Sequence, residues 1–161
     1  MAEPSATKEA AKTGAAEMVK VTIDGRETEV EVGTTILQAA RELGIHIPTL
    51  CYHDDLSVSG SCRICVVEVE GFSTLQIACA FPIERPINVT TSSPRIRRSR
   101  RHTLDLLLGH HWGDCYTCKR NGSCELQELA ADYGIDTFNY PRPDFGPFEL
   151  QADGPIVRDM N

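Results

Sequence analysis

Apolar and polar positions alternate from residue 19. Val19, Val21 and Ile23 are separated by Lys20 and Thr22, and after Asp24-Gly25 the alternation resumes from Thr28 to Val32. A period of two broken by an Asp-Gly pair predicts a β-hairpin. The period then lengthens. Ile36, Leu37, Ala40 and Leu43 share one face of a helix starting near Thr35, with Thr34 placed to cap it. Gly44 is a suitable stop, and Pro48 keeps the chain from resuming the helix. Cys51 to Ser61 reads as a loop, Ile64 to Val69 as a strand, and Glu70-Gly71 as a turn. Leu75–Ala78 and Ile87–Thr91 follow as further short strands. Hairpin, helix, cysteine loop and more strands make a mixed α+β pattern.

A second unit begins at Ser93-Pro94, an N-cap followed by proline at the first helical position. Its helix is expected to bury Leu104, Leu107 and Leu108 and to end at Gly109. A loop from His110 to Ser123 leads to Cys124, which opens another helix reaching about Tyr133, with Gly134 as its stop. Beyond Asn139, prolines at 141, 143, 147 and 155 predict an extended, docked tail over residues 140–161. No internal repeat is visible.

The chain has 161 residues and 17.8 kDa, enough for one ordinary domain or two small ones that would gain from metal staples. Its net charge of −7 argues against general nucleic-acid binding. No apolar run approaches the roughly 20 residues that span a bilayer, and Leu104 to Leu108 is interrupted by Asp105. Met1 to Met18, rich in Ala, Lys and Glu, lacks the apolar segment of a secretory signal. The expectation is a cytoplasmic protein with a disordered leader over residues 1–17, a short helix there being the alternative. No phosphate-binding loop, dinucleotide glycine fingerprint or Ser-His-Asp set is present, so neither catalytic residues nor a nicotinamide or flavin site is expected in the chain itself.

Seven cysteines change the picture. Disulfides are rare in a reducing compartment, and an odd count leaves one thiol over. Cys51, Cys62, Cys65 and Cys79 are spaced C-x10-C-x2-C-x13-C. Four thiolates are the usual ligands of a 2Fe–2S cluster, and the small residues around Gly60 let backbone approach sulfur. This is not the plant-type C-x4-C-x2-C spacing. A four-cysteine zinc site and unligated buried cysteines stay open on spacing alone.

His111, Cys115, Cys118 and Cys124 are spaced H-x3-C-x2-C-x5-C. Cys124, at a helix N-terminus, meets the positive dipole end that favours thiolate, with Lys119 and Arg120 nearby. A neutral imidazole in place of one thiolate removes a negative charge and raises a cluster's potential. A zinc site with the same ligands fits this spacing equally well. Seven cysteines and His111 make eight ligands, enough for two four-ligand sites with no thiol to spare.

The two spacings in this order carry a resemblance. Leu106-Leu107-Leu108 stands ahead of the histidine, and Cys118-Lys119-Arg120-Asn121-Gly122-Ser123-Cys124-Glu125-Leu126-Gln127 follows it. From Met18 to Asn161 the chain resembles the N-terminal iron–sulfur region of the large complex I subunit, the 75 kDa or G-type subunit. Iron-only hydrogenases and NAD-linked hydrogenase and formate dehydrogenase subunits share that region. The resemblance implies a β-grasp, ferredoxin-like 2Fe–2S domain over residues 18–96, with Cys51, Cys62, Cys65 and Cys79 as ligands. It implies a small, mainly helical 4Fe–4S domain over 97–139, held by His111, Cys115, Cys118 and Cys124.

It further implies an electron-relay role in an NAD(P)H-linked oxidoreductase complex, between a flavin-bearing subunit and a catalytic or further iron–sulfur subunit. The alternatives are a free ferredoxin-like shuttle and a zinc-stabilised interaction module. Larger relatives continue into paired C-x2-C-x2-C-x3-C sites. This sequence stops about where they would begin, as a naturally short subunit or a fragment would.

Other features read more plainly. Arg95, Arg97, Arg98, Arg100 and Arg101 form a basic run at the start of a helix, where the dipole disfavours cations. A solvated face is the default, and a docking surface or an inter-domain salt bridge the alternative. The motif spacing selects His111 over His110. His46, His53 and His102 read as ordinary loop or helix residues. Trp112 and Tyr116 are expected to shield the second cluster from water.

Overall fold

A computed structural model describes residues 17–111, 114–136 and 140, together with the backbone of 150–151 and 158–159. The leader expected over residues 1–17 therefore lies outside the described residues, apart from Glu17.

Strands β1 (Met18–Ile23) and β2 (Arg26–Glu31) form the expected hairpin, Ile23 opposite Arg26. Both turn residues are left-handed, Asp24 at φ 48° and Gly25 at φ 79°. That geometry matches the twist of the flanking strands. Asp24 has a second task. Its carboxylate accepts hydrogen bonds from the Thr91 N–H and hydroxyl, and its own N–H donates to the Val89 carbonyl. The hairpin tip is thereby tied to a strand some 65 residues later.

Helix α1 (Ile36–Glu42) follows. Its cap is Thr35, one residue later than expected. The Thr35 hydroxyl accepts from Gln38 N–H while the Gln38 side chain accepts from Thr35 N–H. Only this register gives the reciprocal box, worth about 1 kcal/mol. The Thr34 carbonyl instead accepts from Ile83 N–H at 2.9 Å.

Strands β3 (Val66–Val69), β4 (Gln76–Ile77) and β5 (Ile87–Thr90) are shorter than their apolar runs suggested. They complete a five-stranded mixed sheet in the order β2-β1-β5-β3-β4. β1 pairs parallel to β5, and the other pairs are antiparallel. This is a β-grasp order, with α1 against the sheet. Val19, Val21, Ile23, Ile36, Leu37, Ala40, Val67 and Val89 meet in its core.

The second half is built on α2 (Pro94–His110), capped by Ser93, whose hydroxyl accepts from Ile96 N–H at 3.1 Å. Gly109 does not end it. The helix continues to His110, and Gly109 is buried where a Cβ would lie 3.2 Å from Cβ of Tyr140. The glycine allows close approach there rather than a stop. Helix α3 (Glu125–Asp132) opens directly after Cys124, as expected. Ile64, Leu104 and Leu129 form a second buried cluster, joined by Leu50, Cys62, Leu107, Leu126 and Tyr133. In the tail the backbone is not merely extended, since β6 (Leu150–Gln151) and β7 (Arg158–Asp159) pair antiparallel.

The basic run is not one solvated face. Ile96, Arg100 and Leu104 lie four residues apart on the buried side of α2, and Arg100 is only 5% exposed. No helix among the described residues is long and apolar enough to cross a membrane.

Removing the Asp24 carboxylate strands two donors of Thr91, itself buried. Asp24→Ala is expected to cost about 1–3 kcal/mol in urea denaturation. Asp24→Asn, which keeps the turn geometry and one acceptor, should cost less.

Candidate iron–sulfur centres

Three segments bring the first cysteine set together. Cys51 lies after α1, on a loop held by Arg41, which stacks 4.9 Å from the Tyr52 ring centroid and pairs with Asp54 at 2.7 Å. Cys62 and Cys65 flank a tight turn in which Arg63 is left-handed at φ 58°. A non-glycine residue there costs about 1–2 kcal/mol and persists only where its surroundings impose it. Gly60, buried and at φ 62°, turns the chain into that segment. Cys79 follows β4.

Pairing of Val66 with Ile77 brings the segments of Cys65 and Cys79 side by side. The first turn of α1 locks the Cys79 loop. Ile36 N–H donates to the Phe81 carbonyl and Leu37 N–H to the Ala78 carbonyl, which satisfies helix donors that would otherwise have no partner.

Cys79 feels the other three sulfurs. Burial, then the Cys65 side chain and the charges of Cys65, Cys51 and Cys62, push the Cys79 thiol up to about 12. Burial also raises Cys62. Burial acts the same way on Cys51, but there it is outweighed. Hydrogen bonds from the Cys62 backbone and side chain and from the Ser61 backbone bring Cys51 below its ordinary value. The Cys62 N–H stands 3.4 Å from Cys51 Sγ, an amide-to-sulfur contact of the kind the small-residue loop was expected to supply. Cys65 and Cys79 are buried, while Cys51 and Cys62 are partly exposed.

The second set frames a cavity of about 120 Å³ between the C-terminal end of α2 and the N-terminal end of α3. His111, Cys115, Cys118 and Cys124 all line it, with Leu108 and Leu126 among its apolar walls. His111 is the C-cap of α2. His110 does not line the cavity, and its Nδ1 lies 3.1 Å from the Leu106 carbonyl in the same helix. Cys115 and Cys118 bracket a turn closed by Cys118 N–H on the Cys115 carbonyl, and Arg120 N–H points to Cys118 Sγ at 3.4 Å. Cys124 is the N-cap of α3, and its side chain makes no capping bond. Gln127 braces the loop, accepting from Gly122 N–H and donating to Asn121. Among the described residues no three His, Cys, Asp or Glu side chains converge tightly enough for a single ion.

Tyr116 shields nothing in this arrangement. It is 96% exposed, because the turn from Cys115 to Cys118 directs it outward. Trp112, given the same role from the sequence, lies outside the described residues. His102 is an ordinary helix residue whose Nδ1 meets the Tyr140 hydroxyl at 3.2 Å. The sequence reading missed Ile64, which fills the turn between Cys62 and Cys65 and packs on Leu104 and Leu129. It also missed the burial of Arg100, although the four-residue spacing to Ile96 and Leu104 was a usable signal.

Residues 16–94 match the 2Fe-2S iron-sulfur cluster binding domain family, and residues 100–138 the NADH-ubiquinone oxidoreductase-G iron-sulfur binding region. The chain is 44% identical to the NADP-reducing hydrogenase subunit HndD of Solidesulfovibrio fructosivorans, over 89% of this chain and 26% of that protein. It is 43% identical to the mitochondrial 78 kDa subunit of NADH-ubiquinone oxidoreductase from Candida albicans, over 87% of this chain and 20% of that one. Among solved structures, an NAD+-reducing NiFe-hydrogenase in its H2-reduced state superposes with a TM-score of 0.73 at 33% identity. That match covers 85% of this chain and 57% of the other. The chain thus spans about a quarter or less of the curated relatives' length.

In iron-free protein, iodoacetamide is expected to modify Cys51 before Cys62 and Cys79, read by peptide mass spectrometry across pH. Stability of that form should fall as pH rises from about 9 to 12. An unfolded thiol ionises near 9.0, whereas folded Cys79 holds its proton to about 12, so the folded state binds more protons in that window. Below 9 the contribution is constant.

Proposed function

The chain belongs to the iron–sulfur family shared by the G-type subunit of complex I and NAD(P)-linked hydrogenase subunits, and from this we propose that it is the electron-relay segment of such an oxidoreductase. It carries one 2Fe–2S and one 4Fe–4S cluster. When bound, these supply one-electron redox steps.

In this reading Cys51, Cys62, Cys65 and Cys79 hold the 2Fe–2S cluster within a unit spanning 18–96. His111, Cys115, Cys118 and Cys124 hold the 4Fe–4S cluster within 97–139, ahead of the 140–161 tail. The observation that carries the reading is the grouping of all eight side chains into two sets. One is a set of thiols close enough for Cys79 to feel Cys51, Cys62 and Cys65, and the other a cavity lined by all four residues of the second set. The donor chemistry fits, since thiolates and imidazole are the soft and borderline ligands that iron–sulfur centres take. A cavity lined on several sides suits a polynuclear group better than a zinc ion, which needs its ligands drawn to about 2.0–2.3 Å.

The protein's own work is positional. Buried Cys65 and Cys79 exclude water from one side of the first centre, and Leu108 and Leu126 do so at the second. N–H groups of Cys62 and Arg120 point at ligand sulfurs and stabilise their negative charge. The flavin-bearing partner and the downstream centre are supplied by other subunits or domains. Seven unbridged cysteines suit a reducing, cytoplasmic setting.

Anaerobically prepared protein should contain about six irons with matching acid-labile sulfide and show sulfur-to-iron absorption that bleaches on reduction. A colourless protein holding only zinc would overturn the reading. His111→Ala should lose or convert the 4Fe–4S signal while the 2Fe–2S signal persists, read by electron paramagnetic resonance. His111→Cys should retain a 4Fe–4S cluster at a lower midpoint potential, because a thiolate adds one negative charge.

A further inference from the structure

Arg100 is the one cation in the α2 basic run that is buried, and it stands where the two halves meet. Its guanidinium donates to the Val66 carbonyl at 2.8 Å and the Thr91 carbonyl at 3.2 Å, both in the first half, and to the Tyr133 hydroxyl at 3.1 Å in the second. Every one of these acceptors is neutral. Among the described residues no carboxylate lies within ion-pair distance of Arg100, and its Nε has no hydrogen-bond partner among them.

A buried, unpaired charge costs several kcal/mol and is rare without a counter-charge. Three neutral oxygens compensate only in part. Val66, whose carbonyl receives the shortest of the three bonds, directly follows Cys65. The first cysteine set, when it holds a cluster, brings negative charge to the backbone that Arg100 grips. The second set is farther along the chain of contacts. Tyr133 caps the C-terminal end of α3 and Cys124 its N-terminal end, roughly 13 Å apart at 1.5 Å per residue.

We propose that Arg100 is a positioning and potential-setting residue for the four-cysteine centre, its buried positive charge stabilising the reduced cluster over the oxidised one. The proposal rests on assigning a 2Fe–2S cluster to Cys51, Cys62, Cys65 and Cys79. One-electron reduction adds one negative charge to such a cluster and moves no proton, so a fixed cation in a poorly solvated neighbourhood favours the reduced form. Arginine suits the task because its guanidinium is a planar, delocalised charge that desolvates more readily than an ammonium. Its fork also spans the two carbonyls that frame the junction. By the same contacts it fixes the backbone next to Cys65, so charge and geometry must be separated by experiment.

The test is a dithionite redox titration of the full chain with both clusters loaded, following each cluster by its own electron paramagnetic resonance signal. Arg100→Gln removes the charge while keeping an amide donor. It should shift the 2Fe–2S midpoint to more negative potential and shift the 4Fe–4S midpoint less. Arg100→Lys should stay close to wild type, and Tyr133→Phe, which deletes a neutral hydroxyl only, should leave both midpoints unmoved. An unchanged 2Fe–2S midpoint in Arg100→Gln, or an equal shift in Arg100→Lys and Arg100→Gln, overturns the proposal.

Should Arg100→Gln fail to load the first centre, Arg100→Lys decides. Loading at a wild-type midpoint supports charge compensation, and failure of the lysine form as well marks a purely geometric role and overturns it. Absence of any 2Fe–2S signal in the wild type is a different failure, that of the cluster assignment beneath the proposal.

Discussion

Burial and three neighbouring sulfurs make Cys79 hard to ionise, and the loops of the first half are what hold it among them. Burial and the neighbouring sulfurs drive Cys79 to about 12, far above the pH at which a thiolate ligand is wanted. Metal positive charge removes such a penalty outright, since a coordinating thiol gives up its proton. What the polypeptide contributes is the placement that makes the exchange possible. The left-handed Arg63, the Cys62 amide aimed at Cys51, and the α1 amides that grip the carbonyls beside Cys79 all act on loop backbone. The sheet and α1 supply the rigid frame for those loops, with Ile23, Ile36 and Val67 fully buried behind them.

The second half has less to stand on. Its buried cluster comprises Ile64, Leu104 and Leu129 with a few partly covered neighbours, and Ile64 comes from the first cysteine motif. The two halves therefore share structure. Ile64 projects from the C-x2-C turn into the second core, and Arg100 reaches back to the strand that leaves that turn. α2 itself begins at Pro94, just inside the first expected unit, and is C-capped by His111 of the second set. One helix thus touches both the backbone after Cys65 and the second set of ligand-type residues.

Much of this was legible along the chain because it depends on local periodicity or on spacing. The hairpin, the two α2 and α3 starts at Ser93 and Cys124, and the grouping of eight ligand-type residues into two sets follow from alternation, capping chemistry and counting. Where the reading slipped, a long-range partner or the local turn geometry was responsible. Gly109 looked like a stop, but Tyr140 packs on it. Thr34 looked like a cap, but its backbone is engaged by Ile83, and Gln38 selects Thr35. Tyr116 looked like a shield until the turn geometry sent it into solvent.

The linear order of residues determined which chemistry the chain can hold, since ligand type and interval are properties of the covalent string. It could not determine which arginine of five is desolvated, or that Ile64 serves the other half's core. Those outcomes depend on surfaces that exist only after α2 has docked on β3 and α3. Burial is a property of the assembled whole, and the electrostatics around the two centres are set there.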